Sequence, residues 1–513
     1  MTGEDRAVGA PERLHPLFLL GGLGGSLRGV AGGYALIGYL AVSGSVGTAV
    51  LAAVALLLFL ILSLVVYWIR FEFRVGESEI RIDSGIISRT HRSIPFDRIQ
   101  DVDITQGPIA RIAGLARVKF ETGGAAAAGS DEGVLQAIPL QRAEQLRSLI
   151  RAHRSAAPQP AEAESAPEAP PIYAMNSKRL LLAGVFNFSL ALFAGLFGAS
   201  QTVGEVAGFD PFSRAFWIGL LAAGDPIADY ILAHRVGAAV AGLLLLIVAG
   251  LLTGIVRTLL REYGFRLDRT EVGLRRRRGL LTRTDVTLPV KRAQAALVTT
   301  GPVRDRLGWR DLKLQSLASD EGGGGDHVVA PLATDEEVDV ILSQIGWSLP
   351  QPIDWRRVSA AYVWTFAIGL SPLILLLGLL AAVVGAAPFL VDSTLSGEVL
   401  REMAPLLIPT LIGFVVLGSA VLMRLLSWRR TGYAIDRSTL LIRSGWWRRR
   451  TLLLPMGRIQ SVDLRESFVS RWFGTATLTF GVAGGSGFSG HAIPSLPRET
   501  ASELREQLLL SHA

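Results

Sequence analysis

The sequence contains no cysteine among its 513 residues. This absence excludes disulfide bonds, thiolate metal sites and cysteine nucleophiles. Charged residues are also scarce, at 19% of the chain, whereas half of all residues are hydrophobic. Soluble globular proteins are rarely this apolar, so the composition predicts a membrane protein without covalent cross-links.

Patterns of catalytic or metal-binding residues are also missing. The seven histidines are spread along the chain without the H-x-x-x-H spacing that two metal ligands on one helix face would need. The string GSGFSG at 485–490 fits a dinucleotide fingerprint in its letters only, because a strand-like stretch follows it instead of a helix. We therefore expect no catalytic residue, no metal, no cofactor and no enzymatic activity.

Long hydrophobic runs are abundant. A helix that crosses a bilayer needs ~20 mostly apolar residues. Six runs have this character and pair as three helical hairpins, at residues 16–42, 51–68, 180–200, 236–256, 358–386 and 406–426. Arg28 interrupts the first run, so either it lies within the first helix or a short interfacial piece precedes the true span.

Charged residues at the ends of these runs predict the orientation. Basic residues collect on one side of the six runs, and the loops on the other side are mainly acidic. Cytoplasmic flanks carry the excess of Lys and Arg. We therefore expect a multi-pass protein of the bacterial cytoplasmic (inner) membrane with both termini in the cytoplasm. Because the basic residues follow the membrane ends, we expect no nucleic-acid partner.

A soluble segment follows each hairpin, and the three segments repeat one pattern. A glycine precedes a proline by ten positions, and a second glycine follows that proline by nineteen. A second proline closes each copy in AIPL, VAPL and AIPS. Such agreement predicts one folded unit that occurs three times. The repeated positions are Gly85, Pro95 and Gly114, then Gly279, Pro289 and Gly308, and finally Gly445, Pro455 and Gly474.

The local pattern within a copy is β. The stretches FEFRVGESEIRI (71–82) and YAIDRSTLLI (433–442) alternate apolar and polar residues around a turn, as half-buried strands do. A short helical piece ends at the second glycine of each copy, and an amphipathic helix closes the copy. Each copy is thus predicted to be a small antiparallel β-barrel or β-sandwich capped by one helix.

These motifs resemble the bacterial pleckstrin-homology-like (PH-like) membrane proteins of the YdbS/YdbT type, and especially their three-domain, YdbT-like members. The resemblance is carried by SGIISRTHRSIPFDRIQDVDI and SGWWRRRTLLLPMGRIQSVDL, whereas the second copy has VKRAQAALV in place of Arg-Ile-Gln. It implies three PH-like domains that alternate with six transmembrane helices. It also implies a smaller one-domain relative as a protein partner, and it implies no activity.

The chain is thus predicted to consist of eight segments. The linker is rich in Pro, Ala and Glu, a composition that forms no core and predicts a flexible tether. The segments are an N-terminal tail (1–15), hairpin 1 (16–69), PH-like domain 1 (70–154), the linker (155–174), hairpin 2 (175–258), PH-like domain 2 (259–349), hairpin 3 (350–428) and PH-like domain 3 (429–513).

Two basic strings form the candidate binding site. We place both in the turn between the second and third strands of a copy, near the membrane end. Arginine suits phosphate and tryptophan suits the headgroup boundary, so these residues are candidates for contact with anionic lipid; the alternative is a solvated basic turn. The strings are Arg275, Arg276, Arg277 and Arg278, and Trp446, Trp447, Arg448, Arg449 and Arg450.

Two hypotheses for the function remain. The first is a non-enzymatic membrane scaffold or binding protein that presents three PH-like domains at the cytoplasmic face to lipid or protein partners. The second is a membrane transporter or a membrane enzyme of unrecognised type. Ionisable residues inside the hydrophobic runs would favour the second hypothesis, and apart from Arg28 and Arg424 they are missing.

Overall fold

A computed structural model describes residues 10–19, 46–84, 90–122, 133–154, 170–188, 233–316, 326–349, 353–390, 396–436, 438–482 and 491–510, together with residues 37, 40 and 219. The chain forms two compact units, 1–287 and 288–513. The boundary falls inside the second copy of the repeat. We call the three copies repeats 1, 2 and 3.

Unit 1 contains two antiparallel sheets. Sheet I has the strand order β1-β2-β3-β4, and sheet II has the order β7-β6-β5-β11-β10-β9-β8. The strands are β1 (Glu12–Arg13), β2 (Glu72–Val75), β3 (Glu79–Ser84), β4 (Thr90–Pro95), β5 (Ile99–Gln106), β6 (Leu115–Thr122), β7 (Val134–Pro139), β8 (Tyr173–Ala174), β9 (Arg266–Arg269), β10 (Gly273–Arg278) and β11 (Arg283–Pro289).

Unit 2 also contains two antiparallel sheets. Sheet III has the order β14-β13-β12-β18-β17-β16-β15, and sheet IV has the order β19-β20-β21. The strands are β12 (Ala293–Thr300), β13 (Arg310–Ser316), β14 (Asp326–Ala333), β15 (Arg356–Arg357), β16 (Gly432–Asp436), β17 (Thr439–Ser444), β18 (Arg449–Pro455), β19 (Ile459–Arg465), β20 (Thr475–Val482) and β21 (His491–Pro497).

The described residues contain eleven α-helices. Unit 1 holds α1 (Val46–Arg70), α2 (Pro108–Ile112), α3 (Leu140–Arg154), α4 (Ser177–Phe186) and α5 (Arg235–Glu262). Unit 2 holds α6 (Pro302–Arg306), α7 (Asp335–Ser343), α8 (Ala361–Leu390), α9 (Ser396–Arg430), α10 (Phe468–Trp472) and α11 (Arg498–Leu510).

The sandwiches of repeats 1 and 3 each enclose an apolar core. In repeat 1, Phe73 and Ile80 from sheet I meet Val118 from sheet II and Leu146 from α3. In repeat 3, the core joins β16–β18 of sheet III to sheet IV and α11. A sandwich closed by its C-terminal helix agrees with the expected PH-like fold.

Consecutive repeats share a sheet. The fifth strand of repeat 1, β5, pairs antiparallel with β11, the fourth strand of repeat 2. In the same way, β12 of repeat 2 pairs with β18 of repeat 3. We call these contacts junction 1 and junction 2. Strand pairing satisfies backbone groups along both edges, so the repeats are joined as continuous sheet and not only by their linkers.

Four helices are long and apolar enough to span a bilayer within the residues that the structure describes. They cover Gly47–Arg70, Val240–Glu262, Ala361–Val383 and Pro409–Arg430. Most of the other two predicted spans, with Arg28, lies outside the described residues, as do positions 155–169 of the predicted linker. The described part therefore accounts for four of the six predicted transmembrane helices.

Each hairpin is inserted between the first and second strands of a domain. The two-residue strand β1 pairs with β2, and β8 and β15 pair likewise with β9 and β16. The indole of Trp68 donates to the carbonyl of Leu14 (2.8 Å), and Trp428 donates to Val358 in repeat 3 (3.0 Å). The first strands thus come from residues assigned by sequence to the tail, the linker and the third hairpin. The other domain boundaries stay predictions.

The repeat-defining residues adopt equivalent conformations. Each proline ends a strand with φ near −61° and precedes a 3₁₀ turn, at Phe96–Arg98, Val290–Arg292 and Met456–Arg458. Gly114, Gly308 and Gly474 follow the short helices with φ of +67°, +75° and +61°. Gly279 and Gly445 also have positive φ, and Gly85 lies outside the described residues.

The prolines that close the repeats do not align as the sequence predicted. Each last strand has a β-bulge with a left-handed residue, namely Ala137, Leu332 and Ser495. Aligned on these residues, Pro139 corresponds to Pro497 and not to Pro494. The letter match between AIPL and AIPS is therefore wrong by three residues, because the bulge geometry, and not the proline, is what the strands share.

Candidate membrane-facing site

The arginine string of repeat 2 lies in strand β10 and not in the following turn. Strand alternation sends its side chains to opposite faces. Arg275 pairs with Asp285 (Nε–Oδ1 2.8 Å), and Arg277 pairs with Asp268 (2.9 Å). The expected turn position is therefore wrong for Arg275, Arg276, Arg277 and Arg278, since β10 ends at Arg278 and the turn begins at Gly279.

The other two arginines of the string are buried. Arg276 is fully buried, and Arg278 forms a buried ion pair with Glu262 at the end of α5 (2.9 Å). A buried guanidinium needs such a partner, because an unpaired buried charge is costly. Arg278 thus connects strand β10 to the end of a membrane-spanning helix, and neither residue is exposed to a lipid surface within unit 1.

Asp285 connects repeats 1 and 2. Arg147 from α3 donates to its carboxylate (2.9 Å) and also to the carbonyl of Val102 (3.0 Å). Burial raises the pKa of Asp285, but hydrogen bonds and charges from Arg275 and Arg147 outweigh this effect and lower the pKa to about 2. The carboxylate is therefore held ionised between two guanidinium groups at junction 1.

The second predicted string does lie at a turn. Trp446 is half-buried, whereas Trp447 and Arg448 are exposed; 66% of Trp447 is accessible. Arg449 forms an ion pair with Asp305 of helix α6. Arg450 lies in β18 opposite Thr299. The structure thus brings Trp447 and Arg448 to the surface together and engages Arg449 in junction 2.

The short helix of every repeat exposes apolar side chains. In α2, Ile112 is 90% exposed and Ile109 is exposed beside it. Exposed apolar residues also mark α6 and α10, and each short helix carries arginine. The sequence pattern does not reveal this surface, because a five-residue helix is too short to show an apolar periodicity. The exposed apolar residues are Ile109 and Ile112, Val303 and Leu307, and Phe468, Trp472 and Phe473.

At junction 1 the short helix meets the turn of the next repeat beside a helix end. Arg111 of α2 donates to the carbonyl of Leu280. The amide of Gly279 donates to Tyr263 (2.8 Å), and the amide of Leu280 donates to Leu260 of α5 (3.0 Å). The exposed side chains of Ile109, Ile112, Tyr263 and Leu281 therefore belong to one surface, which we call patch 1.

Junction 2 repeats this arrangement. Asp305 of α6 pairs with Arg449 in the strand that follows the turn, and Gly301 lies next to the carbonyl of Trp447. Helix α9 contacts β17, which ends just before the turn. The exposed side chains of Val303, Leu307 and Trp447 form patch 2, with Arg306 and Arg448 exposed around them.

A basic pocket lies on sheet III. Leu297 and Thr299 of β12, Lys313 of β13 and Arg450 of β18 share the lining, as alternation along neighbouring strands requires. The cavity measures about 280 Å³, and Arg448, His491 and the acidic Asp326 also line it. Burial lowers the pKa of Arg450 and that of His491, although Asp326 opposes both shifts. The lining carries more basic than acidic side chains, and arginine and lysine are the usual partners of anions such as phosphate.

Comparison with known proteins agrees with the repeat. A family model described as "Bacterial PH domain" matches residues 21–154, 215–346 and 373–511. The UPF0699 transmembrane protein YdbT of Bacillus subtilis is 25% identical over 283 residues, which is 53% of this chain and 54% of that protein. The UPF0699 transmembrane protein YdbS of the same organism is 38% identical over 79 residues, 15% of this chain and 46% of YdbS.

The match thus spans about half the length of these two relatives. No solved structure matches the chain. The recognition of a YdbT-like membrane protein with three PH-like domains is confirmed by the family match and by both relatives.

Proposed function

Because the chain belongs to the bacterial PH domain family, we propose that it is a non-enzymatic membrane scaffold whose domains rest on the anionic cytoplasmic surface of the bacterial inner membrane. In this proposal both termini and all three PH-like domains are cytoplasmic. The basic flanks of the hydrophobic runs support the orientation. The protein partner implied by the resemblance, a smaller one-domain relative, stays a prediction.

The observation that carries the proposal is the position of patch 1 beside the end of α5. Tyr263 directly follows the spanning helix, and its carbonyl accepts the amide of Gly279 from the turn. The turn and the short helix α2 therefore lie where a membrane-spanning helix leaves the bilayer. Exposed isoleucine, leucine and tyrosine beside arginine match the composition of membrane–water interfaces.

The short helix of repeat 3 also supports contact with the membrane surface. Helix α10 contacts the spanning helix α8 and exposes Phe468 and Trp472, the latter at 69%. Large exposed aromatic side chains in water mark an interaction surface. At a headgroup boundary they instead bury their rings while polar atoms stay solvated, so the proposal gives these residues a favourable environment.

Basic residues add an electrostatic part. Each Lys or Arg near an anionic leaflet contributes ~1 kcal/mol, and this attraction fades within a Debye length. Arg448 and Arg306 surround patch 2, and the basic pocket offers Arg450 and Lys313 to a phosphate. Two sources of phosphate fit the pocket, a lipid headgroup and free inorganic phosphate.

No specific observation favours transport or catalysis. No group of three potential metal ligands occurs among the residues that the structure describes. Arg424, within a candidate span, donates to the carbonyl of Tyr362 (3.2 Å) and stacks on its ring. We therefore account for this intramembrane charge by helix–helix packing.

Site-specific fluorescence in reconstituted vesicles tests the proposal. The chain has no cysteine, so Trp447→Cys offers a unique site for an environment-sensitive fluorophore. In vesicles whose lipids carry a quencher at headgroup depth, we expect quenching and a blue shift relative to detergent micelles. Ser148→Cys, on the exposed face of α3, is the matched control and should show neither effect.

The lipid charge supplies the second arm. With the fluorophore at position 447, anionic vesicles should quench more than neutral ones at low salt, and Arg448→Ala with Arg450→Ala should remove this difference. If free phosphate is the ligand, millimolar inorganic phosphate should change the emission equally in both vesicle types. An unquenched probe at 447 in every vesicle would refute membrane contact.

A further inference from the structure

Repeat 1 and repeat 3 each have one strand of the type that forms junctions 1 and 2 at the end of a sheet. In junctions 1 and 2, the fourth strand of a repeat pairs with the fifth strand of the preceding repeat. In repeat 1 the fourth strand, β4, ends sheet I, and in repeat 3 the fifth strand, β19, ends sheet IV. Within the described part of the chain, no strand pairs with the outer edge of β4 or of β19.

We infer that β4 of one molecule pairs antiparallel with β19 of a second molecule, so that the protein assembles head to tail through the same junction that joins its own repeats. Open edges of this kind are templates for strand addition. Such a contact is heterologous, so it yields a ring if the rotation closes and a filament if it does not.

The two internal junctions define the expected register. Asp285 lies opposite Ile104 in junction 1, and Thr451 lies opposite Val298 in junction 2. When each residue is counted from the repeat-defining proline of its own repeat (Pro95, Pro289 or Pro455), the two pairs occupy the same positions. The same count places His91 opposite Leu464 and Arg92 opposite Asp463 of the second molecule.

Charge complementarity at this register favours a second copy as the occupant. Junction 2 pairs Leu297 with Leu452. The corresponding positions of β19 and β4 hold Asp463 and Arg92, which have opposite charges. Opposite charges on directly facing residues stabilise an antiparallel pair, whereas like charges destabilise it. Charges on edge strands also occur where their role is to prevent aggregation. That role does not require the charges on the two edge strands to be opposite.

The arginine of a second junction contact recurs at the C-terminal end. Arg147 crosses junction 1 to reach Asp285, and it stands ten positions after the left-handed bulge residue Ala137. Arg505 of α11 stands ten positions after Ser495 and is exposed. In the head-to-tail pair, Arg505 therefore faces the strand that carries His91, whose ring is hydrogen-bonded to Asp83 (2.6 Å).

Cysteine cross-linking in membranes tests the contact with the full chain. The chain has no native cysteine, and directly facing residues of an antiparallel pair have Cβ atoms within disulfide range. Molecules carrying Arg92→Cys and molecules carrying Asp463→Cys, made in the same cells, should form a disulfide-linked dimer on mild oxidation. The matched control replaces Arg92→Cys by Ser148→Cys, on the exposed surface of α3, and should give no such dimer.

Charge-exchange variants test the same contact between molecules without using cysteine. Arg92→Glu or Asp463→Arg alone should weaken self-association by roughly five- to thirty-fold, the effect of turning one cross-strand attraction into repulsion. A mixture of Arg92→Glu molecules with Asp463→Arg molecules should recover association. The proposal is overturned if the facing cysteines cross-link no better than the control, or if Arg92→Cys links only to a different protein. Equal association of all charge variants would also overturn it.

Discussion

Junction 1 depends on the carboxylate of Asp285, and Asp285→Asn removes it with almost no change in shape. In the native chain the group accepts from Arg147 and Arg275, and the side chain of Arg147 is only 7% exposed. The variant leaves two guanidinium groups at a junction without their counter-charge. Because α3 and β11 belong to different repeats, the loss falls on the contact between repeats and not only on one domain.

The magnitude follows from the pKa. A lowering from 3.8 to about 2, at about 1.4 kcal/mol for each pKa unit, corresponds to about 2 kcal/mol of stabilisation. Removing one partner of a buried ion pair typically costs about 3–5 kcal/mol, because the other charge stays buried. We therefore expect Asp285→Asn to lower the free energy of opening of junction 1 by about 2 to 5 kcal/mol.

Amide hydrogen exchange of the full chain in micelles measures this opening. Protection in β5 and β11 should fall by roughly thirty-fold or more, the equilibrium equivalent of about 2 kcal/mol. Asp268→Asn is the matched control, because Asp268 also pairs with two arginines of sheet II, Arg266 and Arg277, yet lies within repeat 2 alone. Equal loss of protection in β5 for both variants would refute the reasoning.

The same carboxylate predicts a pH dependence. Its pKa is lowered on folding, so its stabilisation is fully present above pH ~4 and is lost as the pH falls through about 2. The difference in Tm between the native chain and Asp285→Asn should therefore be constant from pH 7 to about 4 and shrink towards zero near pH 2. A difference that stays constant down to pH 2 would contradict the assignment.

Three further predictions concern the turns, the helices and the topology. Gly474→Val should destabilise repeat 3 by about 1–3 kcal/mol because φ is +61°, with Gly474→Asn milder and Gly457→Ala neutral, as read by proteolysis of the full chain. Gly254→Leu should separate α4 from α5 in a cross-linking assay, since even a Cβ there would lie 2.6 Å from the carbonyl oxygen of Asn187. Reporter fusions should be active on the outer side after residues 208 and 393, and on the inner side after residues 128 and 324; an inner-side signal after 208 would contradict the hairpin pairing.

Sequence periodicity was sufficient for the local elements. Alternation in FEFRVGESEIRI and YAIDRSTLLI correctly indicated β2–β3 and β16–β17, because a half-buried strand imposes a period of two on its own residues. The glycines at 114, 308 and 474 were likewise recognisable, since a left-handed residue after a helix strongly favours glycine.

Sequence patterns did not predict which side chains of the two basic strings are buried. Arg275–278 and Trp446–Arg450 look equivalent as letters, yet the first lies in a strand and the second begins in a turn. Whether an arginine is exposed depends on its partners, and Asp268, Asp285 and Glu262 are distant or unremarkable in sequence. Only the folded chain decides that Arg278 is buried while Arg448 is exposed.

By itself, the sequence determined that this is a membrane protein with three copies of one β-rich domain, because hydrophobic length and strand period are properties of contiguous residues. The tertiary structure alone decided how the copies join. The strands β5 and β11 pair through backbone groups that every residue carries, so no side-chain pattern announces a shared sheet. For the same reason the two-residue strands β1, β8 and β15, which close each domain around its hairpin, leave no periodic signal and become visible only through their pairing.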